Sequence, residues 1–192
     1  GDARPDHGAM SPRRLLAVAE LELLTHLRSP LLWGLLGFAA FAVLFVNPAA
    51  MIPGGDAAIG GIRPFSNSRY AMAQTFALTG LLFYTFFTSL LAGLSFLNDA
   101  EARVGDLIHS TPLRPGEYIL GKLSGVLGAL CLVLVLHVSL AIAWHEGGSV
   151  LGSFGIRGPF RILNYVTPAL IFLVPGVWFC AGLAFAAGVR AR

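Results

Sequence analysis

At 192 residues, with 56% hydrophobic and only 12% charged side chains and a mean hydropathy of +0.74, the chain carries more apolar surface than one soluble core of this size can hide, so composition requires a membrane protein. The net charge of +3 comes with arginines scattered around apolar runs instead of clustered, which argues against nucleic-acid binding. Cys131 and Cys180 both fall inside apolar runs and read as small buried hydrophobes, not as a disulfide or metal site.

Residues 1–10 are polar and turn-rich and read as an extension or disordered start; residues 11–192 read as a single transmembrane domain. From Ser11 the chain can cap a helix with Pro12 in its first turn, and Leu16, Ala19, Leu23 and Leu27 recur at helical spacing, with Arg13, Arg14, Glu22, Thr25 and Arg28 over the rest. This predicts an interfacial amphipathic helix that lies on the membrane and leads into the first span. That span, about residues 31–46, would be roughly 24 Å long as a helix, close to the lower limit for crossing. A cleaved signal peptide is the competing reading, but the run is longer than a usual signal core and follows a long charged helix. Residues 47–70, with three prolines and several glycines, form an irregular surface loop.

The second span, about 71–97, is long enough to cross with tilt. Its aromatic cluster of Phe83, Tyr84, Phe86 and Phe87 would suit a pore lining or a helix-packing surface, and packing is the commoner use of such residues. Residues 98–122 then hold the only dense internal charge, with Asp99, Glu101, Arg103, Asp106, Arg114, Glu117 and Lys122. Asp99 to His109 reads as a short helix, ended by Ser110-Thr111-Pro112 because a residue before proline is pushed out of helical geometry. Arg114-Pro115-Gly116-Glu117 starts the third span, about 119–143, with an acid at the positive end of the helix. Gly121 and Gly125, four residues apart, would let another helix approach closely, and Lys122 can snorkel to the interface. A second Gly-rich loop precedes the fourth span, about 165–189, which Pro168 and Pro175-Gly176 should kink.

If the N terminus is cytoplasmic, nine of the 13 Lys and Arg residues lie inside and Arg63, Arg69, Arg157 and Arg161 lie outside. The bias places both termini and the 98–122 loop in the cytoplasm. No GxxxxGK[ST] phosphate loop occurs, so ATP hydrolysis by this chain is not expected, and His145-Glu146 lacks the second histidine of HExxH, so no metal site is expected either. His137 is the one ionisable residue well inside a span. Such a residue is by default a functional candidate, while a neutral histidine bonded to a neighbouring helix is the ordinary structural alternative.

The ordered set Phe96-Leu97-Asn98-Asp99, Gly105-Asp106-Leu107-Ile108-His109-Ser110-Thr111-Pro112-Leu113-Arg114 and Glu117-Tyr118-Ile119-Leu120-Gly121-Lys122 resembles the cytoplasmic loop between the second and third spans of ABC type-2 exporter permeases. Arg28-Ser29-Pro30-Leu31-Leu32-Trp33 and Gln74 extend the likeness more weakly. It is similar in particular to the branch joined to a zinc aminopeptidase domain. The resemblance implies an all-α multi-pass protein of the cytoplasmic (plasma or cell inner) membrane that moves a substrate with energy from a separate ATPase subunit. ATP and Mg would bind that partner, and no cofactor would bind this chain. It further implies a dimer with a second permease copy or a homologous permease. The family usually has six spans, so the chain is expected to lack the last two. Asp99, Glu101, Arg103, Gly105, Asp106, Leu107, Thr111 and Pro112 become ATPase-coupling candidates, Gly121 and Gly125 helix-packing residues, and Phe83, Tyr84 and His137 a candidate translocation path. A non-transporting membrane scaffold or assembly subunit is the alternative, and an intramembrane enzyme using His137 a further one.

Overall fold

The computed structural model describes residues 11–45, 65–101, 113–147 and 158–190. All regular structure among these residues is helical: α1 (Pro12–Leu27), α2 (Pro30–Phe45), α3 (Arg69–Thr79), α4 (Thr85–Glu101), α5 (Pro115–Gly147), α6 (Leu163–Pro168) and α7 (Val174–Arg190). A π-helical turn, π1 (Gly80–Tyr84), joins α3 to α4, and another, π2 (Ala169–Leu173), joins α6 to α7.

Among the described residues three helices are long and apolar enough to cross a membrane: Arg69–Ser95 through π1, Pro115–Gly147, and Leu163–Gly188 through π2. α2 qualifies only together with α1, from which it is bent by 62°. Its 16 residues reach about 24 Å, short of the roughly 30 Å hydrocarbon core. Leu170, Ile171, Phe172, Trp178, Phe179 and Leu183 are exposed on the last helix, a pattern that suits a chain solvated by lipid and would be costly in water.

The three long helices alternate in direction. Polar contacts at one pole join Ser95, near the end of one helix, to the neighbourhood of Lys122, near the start of the next. At the opposite pole Asn67, Glu146 and Tyr165 meet. Between the poles lies an apolar core that includes Leu35, Phe76, Leu91, Leu130 and Leu173.

α1 packs against the bundle. It runs alongside the first turns of α5 and in the same direction, with Val18 at Gly121, Ala19 and Glu22 at Gly125, and Leu23 at Gly128. The side turned to the bundle buries Glu22 and His26, while Leu16 from the expected apolar stripe is 64% exposed. Pairing of Glu22 with His26 and Lys122 sets which side of α1 meets the bundle. The fourth span carries the irregularity expected from its prolines, but as π2 between Pro168 and Pro175 within one continuous crossing.

Gly121 and Gly125 explain how α1 comes so close. A Cβ on Gly121 would lie 2.7 Å from Val18 Cβ, and one on Gly125 would lie 2.6 Å from the Ala19 carbonyl oxygen. Gly121→Ala and Gly125→Ala should therefore each destabilise the detergent-solubilised protein by about 1–3 kcal/mol through overpacking. Gly93→Ala, whose Cβ would meet nothing within 4 Å, should be neutral or mildly stabilising. Denaturation curves in mild detergent measure all three, and equal midpoints would remove the close-approach argument.

Candidate functional site: a buried carboxylate where the central loop joins the bundle

Glu22 and His26 are one helical turn apart, so both project from one face of α1. Because α5 presents glycines at 121 and 125, α1 settles near enough for Glu22 to reach Lys122 and for both side chains to leave solvent; Glu22 is 8% and Lys122 4% exposed. The Glu22 carboxylate accepts on one oxygen from His26 Nε2 at 3.1 Å and from the Ser95 hydroxyl, and its other oxygen lies 3.0 Å from Lys122 Nζ. An ionised carboxylate only accepts, so His26 carries its hydrogen on Nε2. The Lys122 ammonium also stands 5.5 Å from the centroid of the Tyr118 ring. Burial alone would raise the Glu22 pKa, but the hydrogen bonds from His26 and Ser95 and the Lys122 charge outweigh it and lower the carboxyl to about 2.

A second acid sits at the start of α5. Glu117 reaches back to accept from the Arg114 backbone N–H at 3.1 Å and also from the Ser11 N–H at 2.6 Å. The first contact is the acidic half of a capping box. The second ties the start of α1 to the start of α5. Three helices therefore converge on one polar cluster: α1, the α4 rod that leads into the central loop, and α5 that leaves it.

The candidate residues fall differently against this frame. Asp99 and Glu101 lie in the last turn of α4, which continues past the expected end of the span. Arg103, Gly105, Asp106, Leu107, Thr111 and Pro112 lie outside the described residues. Gly121 and Gly125 face α1. Tyr84 and His137 come together, with the Tyr84 hydroxyl 3.2 Å from His137 Nδ1, while Phe83 stacks on Phe38 of α2 with ring centroids 5.1 Å apart. Phe76 meets the His137 ring edge-on, and neither Tyr84 nor His137 is exposed by more than 1%. Among the described residues, no group of three or more His, Cys, Asp or Glu side chains is arranged to hold a metal.

Sequence reasoning missed Glu22, His26 and Ser95, and read Lys122 as a snorkelling lysine. The available signal was a lysine flanked by Gly121 and Gly125 inside an apolar run, which invites an acidic helix to pack there. It also missed the clasp at the far pole. There Asn67 donates to Glu146 at 3.1 Å and to the Gly158 carbonyl at 2.9 Å, accepts from the Gly158 N–H, and receives Asn164 on its own carbonyl, while Tyr165 donates to Glu146 at 2.8 Å.

Set against protein-family models, curated proteins and solved structures, the chain matches none.

Removing one partner of a buried ion pair leaves the other charge uncompensated. Lys122→Met should thus cost about 3–5 kcal/mol, and Glu22→Gln added to it should restore much of that loss. The depressed Glu22 pKa adds a pH signature. Its contribution is complete above the ordinary value of 4.5 and is lost as pH falls toward about 2. Melting temperatures of the parent should decline through that window more steeply than those of Glu22→Gln. Parallel pH profiles would mean that Glu22 is not held ionised by this cluster.

Proposed function

We propose that the chain is the transmembrane permease subunit of an ATP-driven exporter of the ABC type-2 kind, working with a separate ATPase subunit and a second permease copy. The observation that carries the reading is that the two helices bordering the charged central loop are both bonded to Glu22, through Ser95 on one side and Lys122 on the other. A partner that moves the loop would act on a joint already tied to α1, not on a loose connector. The likeness of residues 98–122 to the coupling loop of such permeases supplies the partner's identity. Three span-length apolar helices are compatible with it.

In this reading α2 makes the remaining crossing, and α1 lies where the membrane meets the cytoplasm. Both termini and the central loop face the cytoplasm, as nine Lys and Arg residues against four favour. Asp99, Glu101 and Asp106 orient the ATPase electrostatically, and Val104, Leu107 and Ile108 provide apolar contact. Charge steers docking more than it holds the fold. Glu101→Lys with Asp106→Lys should therefore leave insertion and melting temperature near those of the parent while abolishing ATPase association and ATP-dependent export from reconstituted vesicles. Undiminished association and export would return the loop to a solvated connector and favour a scaffold.

A further inference from the structure

π1 is a point where the first long helix, Arg69–Ser95, carries extra winding. Threonine and serine hydroxyls donate back to carbonyls four residues earlier on both sides of it, Thr75 to Ala71, Thr79 to Thr75, Thr85 to Leu81 and Ser89 to Thr85. Such back-bonds compete for the carbonyls of the helical ladder and favour bending. π1 also touches π2 of the last long helix: a Cβ on Gly80 would lie 3.2 Å from Leu173 Cδ2 and 3.8 Å from the Phe172 carbonyl oxygen. Two neighbouring helices thus share an irregular turn at one level, and π turns inside α-helices are frequent at functional positions.

Beyond π1, α4 is regular, and Thr88, Leu91, Ala92 and Ser95 form one buried stripe along it. Two hydrogen bonds fix its rotation, both at the edges of that stretch. Tyr84, the last residue of π1, is bonded to His137 of α5, and Ser95, three turns on, is bonded to Glu22 of α1. This arrangement is not fully satisfied. Thr88 Oγ1 and His137 Nε2 are buried without a hydrogen-bond partner, and unpaired buried polar atoms raise the free energy of the state that holds them.

We infer that π1 is a register switch: α4 has a second position, reached by rewinding π1 to α-helix, and the Tyr84–His137 and Ser95–Glu22 hydrogen bonds hold it in the first. One residue of winding corresponds to a turn of roughly 100° about the helix axis. That turn carries Thr88, Ala92 and Ser95 out of their buried positions together, because no irregular turn separates them. A change at the Glu22 cluster is thereby felt at His137, and the reverse holds by linkage. The inference rests on this chain alone and is tested apart from the exporter reading.

The test uses purified protein in detergent with Cys131→Ala and Cys180→Ala, and Ala92→Cys as a reporter. Ala92 is fully buried, so N-ethylmaleimide should label it slowly. Tyr84→Phe should raise the rate about fivefold, the population shift expected from losing one ordinary hydrogen bond, and Ser95→Ala, at the opposite end of the rod, by at least as much because its acceptor is charged while the Glu22–Lys122 pair is left intact. Ala129→Cys, buried on α5, should stay protected in the same backgrounds. Deleting Leu82, an exposed residue of π1, removes the spare winding, and Tyr84→Phe should then no longer accelerate labelling at 92. An unchanged rate at position 92 in both substitutions overturns the switch. So does equal acceleration at 92 and 129, which would mean general loosening, or an undiminished Tyr84→Phe response in the Leu82 deletion. Should the deletion fail to fold, the comparison of positions 92 and 129 in the full-length chain decides.

Discussion

Taking the Glu22 carboxylate out of water constrains everything around it. A buried carboxylate is tolerated only if its oxygens are filled by donors, and here the donors come from His26 of α1, Ser95 of α4 and Lys122 of α5. Each donor fixes one relation. His26 requires a helical turn of α1, Lys122 sets the register of α1 on α5, and Ser95 sets how far along its axis α4 stands. Gly121 and Gly125 are needed because any side chain there would hold α1 too far away for the pair to form. A buried pair of this kind adds little net stability over well-packed apolar residues. Its contribution is to exclude other registers, which apolar helices in lipid do not exclude for themselves.

That lack of discrimination follows from the solvent. In a bilayer, lipid tails are as apolar as leucine, so helices associate through close packing and a few polar contacts, not through hydrophobic burial. The long helices follow that pattern. Polar contacts cluster at the two poles and at one level between them, where Tyr84 meets His137. The far pole is built from neutral amide and hydroxyl donors around Asn67 and Glu146, and the loop pole from a full ion pair.

The three long helices were legible because an apolar run near 20 residues is a strong signal that needs no tertiary information. Their ends were not. Arg69 and Tyr70 join α3 because Ser68 caps it, its hydroxyl accepting from the Ala71 N–H, and α5 runs through Glu146 because Asn67 and Tyr165 bond that carboxylate. Polarity marked both stretches as loop while satisfied hydrogen bonds kept them helical. The partners of Glu22 and His26 were also illegible, because the pairing with Lys122 that buries them needs α5 in place. The π turns had no sequence mark beyond Gly80 and Pro168, since a π turn is recognised by its hydrogen bonds and not by composition. The Tyr84–His137 pairing needed two helices to be placed before either residue had a partner.

The strengths of these contacts divide the molecule in two. α1 is joined to α5 by an ion pair, by the Ser11 to Glu117 bond and by a run of backbone-close glycine contacts, while α4 packs chiefly on α7. Two named hydrogen bonds cross between these bodies, Ser95 to Glu22 and Tyr84 to His137. The Ser95 bond ends on an ionised carboxylate and is charge-assisted, whereas the Tyr84–His137 pair is neutral and about half as strong. The firmest joint beside the central loop is therefore that between α1 and α5, where an ion pair, a backbone-to-carboxylate bond and close glycine contacts act together. Along the α4 side the polar ties are one hydroxyl bond to the Glu22 carboxylate at the loop end and a neutral pair near π1, so α4 and α7 are held to the α1–α5 unit by fewer polar contacts than α1 and α5 hold each other. The asymmetry is set by the placement of a serine at 95 and a lysine at 122 on the two sides of one carboxylate.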